Sequence, residues 1–394
     1  MKKYIITNFA FFSIFMTTHS WGQSILSFSD LKIHKLEQIV KSTDFEMFYT
    51  NDYLSNTGGE KAGPRNIGAL DLYLTTEFKK FSTIDGEMMI HFTHIDGQNT
   101  NGAVGDTQGT SNIEMPVQID RFTDLWYQHS WSPRVKSLFG LHDLSSEFNV
   151  TESTLNFINS AFGTSTEIAL SGTAGSSLYP ITSVGLRNSF QFTEEVKLLA
   201  AIYDANPGDE TTYRSFHSDI GNTEGYMLIS EASYETVTQK FAIGGWSHTN
   251  KVSKYLDESE KSTSSGTYAI YQRSLGPNVW AFLRYGWANP KVSMIQSNAV
   301  AGAVYRGIFQ KKKFEDEIGI GASSAKFSGN HRKSEENFVS QGSPLAETVY
   351  EAYYQFKPMN NLQLRPDVQY IQNPTGLNNL NDAWSFGFRS VIQI

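Results

Sequence analysis

Ala383-Trp384-Ser385-Phe386-Gly387-Phe388-Arg389-Ser390-Val391-Ile392-Gln393-Ile394 is the stretch that decides the fold. Trp384, Phe386, Phe388, Ile392 and Ile394 fall on one parity, and Ser385, Gly387, Arg389 and Gln393 on the other. Period two is the signature of a strand, whose successive side chains point to opposite faces. One face here is aromatic and aliphatic; the other is polar and carries a charge. A sequence that stops on an apolar residue in strand phase fits a membrane barrel, whose last strand pairs with its first.

The same alternation recurs backwards along the chain. Leu362, Leu364, Val368 and Tyr370 oppose Arg365, Asp367 and Gln369; Tyr350, Ala352, Tyr354 and Phe356 oppose Glu351 and Gln355. Ile318 and Ile320 oppose Glu317, Ala301, Ala303 and Tyr305 oppose Arg306, and Leu283, Tyr285 and Trp287 oppose Arg284. Further segments lie near 226–235, 241–248, 181–192, 196–204, 122–131, 135–143, 87–95, 67–79 and 45–49. The total comes to about sixteen, an even number as single-chain bacterial barrels have. Ser132 to Arg134, Gly276 to Asn278 and Lys357 to Asn360 read as tight turns. They alternate with longer stretches rich in Gly, Ser, Asn and Asp: Gly97 to Arg121, Leu144 to Pro180, Ala205 to Thr223, Asn250 to Ser264 and Ser328 to Pro344. The pattern predicts an all-β fold: a transmembrane antiparallel β-barrel with short turns at one end and long loops at the other.

The N-terminus reads as an export signal over 1–22: Lys2 and Lys3, an apolar run from Tyr4 to Met16, and small residues around Ser20 to Gly22. Residues 23–42 carry apolar side chains at roughly helical spacing, at Leu26, Leu31, Ile33, Leu36, Ile39 and Val40, and predict a short helix. The barrel is then expected over 43–394. No other stretch approaches the ~18 apolar residues of a spanning helix. A mean hydropathy of -0.35 does not argue against a membrane barrel, which carries its apolar residues on alternate positions.

With no Cys, the chain has no thiol nucleophile, disulfide framework or Cys metal site. Its formal net charge is -8 and no basic tract resembles a nucleic-acid footprint. Aromatics at 13%, with 19 Tyr, 27 Phe and 7 Trp, suit interfacial girdles. The acidic stretch Asp257 to Glu260 lacks the spacing of a calcium loop. No metal, cofactor or catalytic residue is expected, and the nine His show no spacing that pairs one with a Ser nucleophile.

Charges gather on the polar parity because Arg or Lys facing lipid at the midplane costs ~2–4 kcal/mol. The expected lumen set is Asp71, Glu77, Arg187, Glu231, Arg284, Arg306, Glu351, Arg365, Asp367 and Arg389, together with Glu87. Trp246, Tyr73 and Trp280 are expected nearby. Mixed charge with aromatics suits small neutral sugars: carboxylates and guanidinium groups bond hydroxyls, and aromatic rings stack on the apolar face of the sugar. An anion pore would instead be dominated by Lys and Arg. The stretch Leu144 to Pro180 carries Phe148, Leu155, Phe157, Ile158 and Phe162. A loop this apolar must bury itself, and folding into the barrel would narrow the pore.

Several segments together resemble the OprB-type carbohydrate-selective porins. They are Gly140-Leu141-His142-Asp143 with Glu147-Phe148-Asn149, Phe157 to Gly163, Tyr203-Asp204-Ala205-Asn206-Pro207-Gly208, and Phe241 to Trp246 preceded by Glu231. Tyr305-Arg306-Gly307, Glu351 with Tyr354, and Leu364 to Pro374 complete the set. His142 stands where the family's pattern has a Lys. The resemblance implies a sixteen-stranded porin of the bacterial outer membrane, monomer or homotrimer, passing monosaccharides such as glucose by facilitated diffusion. A general porin is the alternative reading; a barrel enzyme or an adhesin fits the sequence less well.

Overall fold

The computed structural model describes residues 41–80, 82–208, 225–309, 316–334, 344–376 and 380–394. The expected signal over 1–22 and all of the expected helix over 23–42 except Lys41 and Ser42 lie outside them. So do 209–224 and 335–343, within two of the expected long loops.

Sixteen strands close into one antiparallel barrel in which each strand pairs with its sequence neighbours. They are β1 (Thr43–Thr57), β2 (Gly63–Glu77), β3 (Gly86–Gly97), β4 (Ile119–Ser132), β5 (Val135–His142), β6 (Ser183–Gln191), β7 (Val196–Asp204) and β8 (Tyr226–Thr236). The second half is β9 (Gln239–Lys254), β10 (Asp257–Ser274), β11 (Val279–Ala288), β12 (Ile295–Arg306), β13 (Glu317–Phe327), β14 (Ala346–Met359), β15 (Leu362–Gln372) and β16 (Ala383–Gln393).

The terminal stretch makes the closing seam. β16 pairs with β1 from Phe48 opposite Gln393 to Thr57 opposite Trp384. Ile394 adds two further bonds, its N–H donating to the Met47 carbonyl at 2.9 Å and its carbonyl accepting from the Met47 N–H at 3.2 Å. Parity sorts the faces as read: Trp384 and Phe386 are 47% and 55% exposed, while Ser385 and Arg389 are 1% and 5% exposed. The outer face continues around the barrel through Tyr49, Tyr53, Phe122, Phe139, Leu228, Ile243, Leu283, Tyr285, Ile320 and Tyr350, all exposed. A belt of this kind belongs in hydrocarbon. On the inner face of the seam, Arg389 Nε and Nη2 each donate to one Asp52 carboxylate oxygen at 2.6 Å.

One expected loop is not a loop. Asn250 to Ser264 continues the β9–β10 hairpin, and only Tyr255 and Leu256 intervene between the strands. Thr249, Val252 and Thr263 keep strand chemistry beyond the apolar belt, so Ser262 still pairs with Val252 and Thr263 with Lys251. The ladder outruns the hydrophobic pattern because hydrogen bonding there needs no lipid.

Candidate functional site: loops seated in the barrel lumen

The connection from β5 to β6, residues 143–182, folds inward. Its local turns come from short polar side chains. Asp143 accepts from the Ser145 N–H at 2.8 Å and starts a turn over Leu144–Ser146; Asn159 accepts from the Ala161 N–H at 3.0 Å and starts one over Ser160–Phe162. Asn149 sits at a φ of 60° and takes the Ser165 N–H at 2.9 Å. Such residues offer the backbone an alternative to strand pairing.

The apolar side chains of this loop then pack on the inner wall. Leu144, Phe148 and Ile168 join Leu199, Tyr203, Ile229, Trp246, Tyr268 and Ile270 of the wall. Phe157 and Phe162 stack at 4.1 Å and join Val104, Phe282, Val300 and Tyr353. Glycines on the wall admit the loop. A Cβ at Gly286 would stand 1.6 Å from Glu167 Oε1, and one at Gly321 would stand 2.6 Å from the Phe162 ring. Leu155 departs from expectation: it is 68% exposed. Glu152 is tied to Lys240 and Asn156 to Glu317 and Arg365. Pinned on both sides, the segment between them leaves Leu155 facing water inside the barrel.

Most of the expected lumen charges hold this loop. Glu231 accepts from the Asn149 N–H at 2.8 Å and the Tyr268 hydroxyl at 2.7 Å. Glu351 accepts from the N–H groups of Ile158 and Asn159 at 2.6 and 3.0 Å. Arg284 donates to the carbonyls of Ala161 at 2.8 Å, of Asn149 at 3.4 Å and of Gly163. Arg365 reaches Asn156 Oδ1 at 2.8 Å, and Arg187 Nη2 reaches Glu147 Oε1 at 2.6 Å. Asp71 accepts from Thr93 at 2.8 Å and from the Tyr179 hydroxyl at 3.1 Å, and bonds His91 Nε2 at 2.9 Å. Tyr73 stacks on that imidazole at 3.9 Å.

These side chains are therefore buried under the loop, and the expectation that they meet solute directly is corrected for them. Backbone N–H and C=O groups of a loop removed from water need partners, and the wall charges supply them. Trp246 is corrected for the same reason: at 3% exposure it sits beneath the loop and presents no face to a sugar. Asp367 is buried, accepting from Gln369 at 3.1 Å. Arg389 is spent on Asp52 and on Asn112 Oδ1 at 2.8 Å. Glu77 and Arg306 stay exposed at the short-turn end, paired with Lys80 at 3.2 Å and Glu317 at 2.6 Å. Glu87 stands opposite Glu77 in the β2–β3 ladder, and Trp280 packs half-buried against the cluster around Phe157.

A second inward loop was not anticipated. In the β3–β4 connection, residues 98–118, the N–H groups of Thr107 and Gln108 donate to Glu347 at 2.8 and 2.9 Å. Ser111 donates to Asp52 at 2.8 Å. The two loops also bind each other, Asn112 N–H to the Ile158 carbonyl at 2.9 Å and Ser160 N–H to the Gly109 carbonyl at 2.8 Å. The missed signal is Glu347, a carboxylate on the lumen parity of β14, which meets these loop amides.

Two loop carboxyls feel the burial. Burial, with Asp124 beside it, raises Asp143 to about 6. Burial raises Glu167 to about 7, against the pull of Arg284. Neither Glu167 oxygen has a hydrogen-bond partner. Ser171 and His248 Nε2 lie 2.9 Å apart, but both are shut away from water and join the loop to β9.

A closed barrel with an apolar belt outside and loops clamped across a polar lumen is a membrane channel of the porin class. The chain matches the model of the carbohydrate-selective porin OprB family over residues 61–394. It belongs to that family, a family of channels. Porin B of Pseudomonas aeruginosa is 22% identical over 90% of this chain and 88% of its own length. The putative porin QuiX of Acinetobacter baylyi is 22% identical over 71% of this chain and 70% of its own. Among solved structures, Pseudomonas putida OprB superposes with a TM-score of 0.80 at 19% identity, covering 93% of this chain and 97% of that one. The channel DcaP of Acinetobacter baumannii gives 0.58 at 10% identity, covering 89% of this chain and 97% of that one. At such identities the two structures speak to the fold alone.

Proposed function

We propose that this porin sits in the bacterial outer membrane and passes neutral monosaccharides such as glucose by passive diffusion. The observation that carries this reading is the pair of inward loops, fixed to the wall and to each other. A pore narrowed by rigid segments sorts solutes by size and by the groups at its lip. Short turns at the end holding Thr43 and Gln393 support an orientation with that end in the periplasm. Direct solute contact falls to side chains left open to lumen water: Leu155 for the apolar face of a sugar, and Glu77 and Arg306 for its hydroxyls. Asp71, Arg187, Glu231, Arg284, Glu351, Arg365 and Arg389 act as positioning residues for the loops.

Uptake into liposomes holding the refolded mature protein tests this reading. Glucose is compared with a disaccharide and with amino acids close to glucose in size. The expected result is glucose entry faster than size alone gives and poor disaccharide entry. Entry ordered by size alone would leave a general porin, and no uptake at all would sink the channel reading.

A further inference from the structure

A cavity of about 330 Å³ lies at the short-turn end of β4 to β7. Its lining includes Arg134, Lys136 and Lys197, with Gln128, Ser189 and Gln191. Register puts these strand residues on the lumen face: Lys136 stands opposite Ser189, which shares the parity of Arg187, and Gln191 stands opposite Lys197. The lysines therefore do not reach lipid phosphates from the outer face.

The charge there is unbalanced. The one carboxylate in the lining, Glu147, is taken by Arg187, whose Nε and Nη2 both donate to it. Among the described residues no carboxylate forms a direct ion pair with Arg134, Lys136 or Lys197; Asp85 and Glu87 lie near enough to Lys136, and Glu231 to Lys197, to act on them only at longer range. Three cations with no direct ion pair, gathered at one wall of a protein whose net charge is -8, favour an anion. Beside them, two side-chain amides and a hydroxyl supply donors and acceptors of the kind a polyol needs.

We infer that this pocket, lined by Lys136 and Lys197, is a binding site for a carbohydrate bearing one anionic group, and that sugar acids such as gluconate use this channel. Binding there is weak and solvated, which lets a solute concentrate and still leave. The inference rests on the sugar-channel reading and extends it to a charged class of solute. A hexose phosphate shares the same chemistry, so both anions are tested.

The experiment uses the full mature chain in liposomes. Glucose uptake is measured alone and with gluconate or glucose 6-phosphate as competitor, for wild type and for K136Q/K197Q. Barrel formation is checked by heat-dependent gel mobility. Gluconate is expected to enter and to slow glucose. K136Q/K197Q, which keeps Arg187 and both loops, is expected to need about tenfold more gluconate for the same effect while glucose alone passes as before. Competition by glucose 6-phosphate only would support the site and change its source. A variant that competes like wild type would overturn the inference. So would an equal loss for acetate, since a site that ignores the polyol is only a field. A wild type that takes up no glucose would instead overturn the channel reading beneath it.

Discussion

Glu351→Gln isolates the clamp between wall and loop. Glu351 is 3% exposed and accepts two backbone N–H groups of the loop, from Ile158 and Asn159. The amide keeps the shape and one acceptor, but turns an N–H₂ toward the second loop donor. Leaving one buried loop N–H without its acceptor costs ~1–3 kcal/mol. At 1.4 kcal/mol per factor of ten, the unseated loop rises roughly 5- to 150-fold in population. Glu231, Arg284 and Arg365 still hold the loop, so it stays mostly seated and opens briefly. Single-channel recording in planar bilayers should show brief excursions to higher conductance, and the ratio of disaccharide to glucose uptake should rise. Glu235→Gln, an exposed change near the β8–β9 turn, is the control. If Glu351→Ala, which leaves both donors unpartnered, records as quietly as wild type and still excludes the disaccharide, the loop is not held by the wall.

Arg389→Met strands Asp52 in the closing seam, where breaking a buried pair costs ~3–5 kcal/mol; the urea midpoint should fall and recover in part in the double variant with Asp52→Asn. An unchanged midpoint in the single variant would contradict the pairing. Phe386→Arg places a cation on the lipid face and should lower refolding stability by ~2–4 kcal/mol, whereas the same change at solvent-facing Glu258 should do nothing measurable. Glu167 sets a pH dependence. Its seated value, about 7, lies above the ordinary carboxyl value of 4.5, so the seated loop holds the proton more tightly than the free loop. The loop is therefore most secure below pH 4.5 and loosens as pH rises to about 7. Open-channel noise should be greater at about pH 8 than at about pH 5, and Glu167→Gln should shrink the difference, the buried Asp143 of the same loop keeping the remainder. Equal noise at both pH values in wild type would refute this.

The wall of the barrel was legible because lipid imposes a rule on every second residue. Trp384, Phe386 and Phe388 could face only hydrocarbon, and Arg389 only the lumen, so strand count and facing followed from parity. The same rule says nothing where no lipid touches the chain. The β9–β10 hairpin beyond Asn250 is the case in point: its residues pair as strands while showing no apolar stripe, so alternation could not reveal it. The inward course of 143–182 was visible in Phe148, Phe157, Ile158 and Phe162. That of 98–118 was not: Val104 and Ile113 pack on the wall, but its apolar residues are scattered, and the rest of its anchoring is by backbone amides on Glu347 and by Ser111.

The lumen charges show how a channel of this kind is made narrow. Parity places Glu231, Arg284, Glu351 and Arg365 inside the barrel, but inside is not the same as open to water. A sixteen-stranded wall encloses more space than a monosaccharide channel needs. Filling that space with chain brings loop amides and carbonyls out of water, and each needs a partner on the wall. Wall carboxyl oxygens accept from loop N–H groups at 149, 158 and 159; the Arg284 guanidinium donates to loop carbonyls at 161 and 163. Mixed charge in the lumen is thus what seating a loop requires, whatever the solute. Side chains that no loop uses, such as Glu77, Lys136 and Lys197, are therefore the ones a test of selectivity has to change.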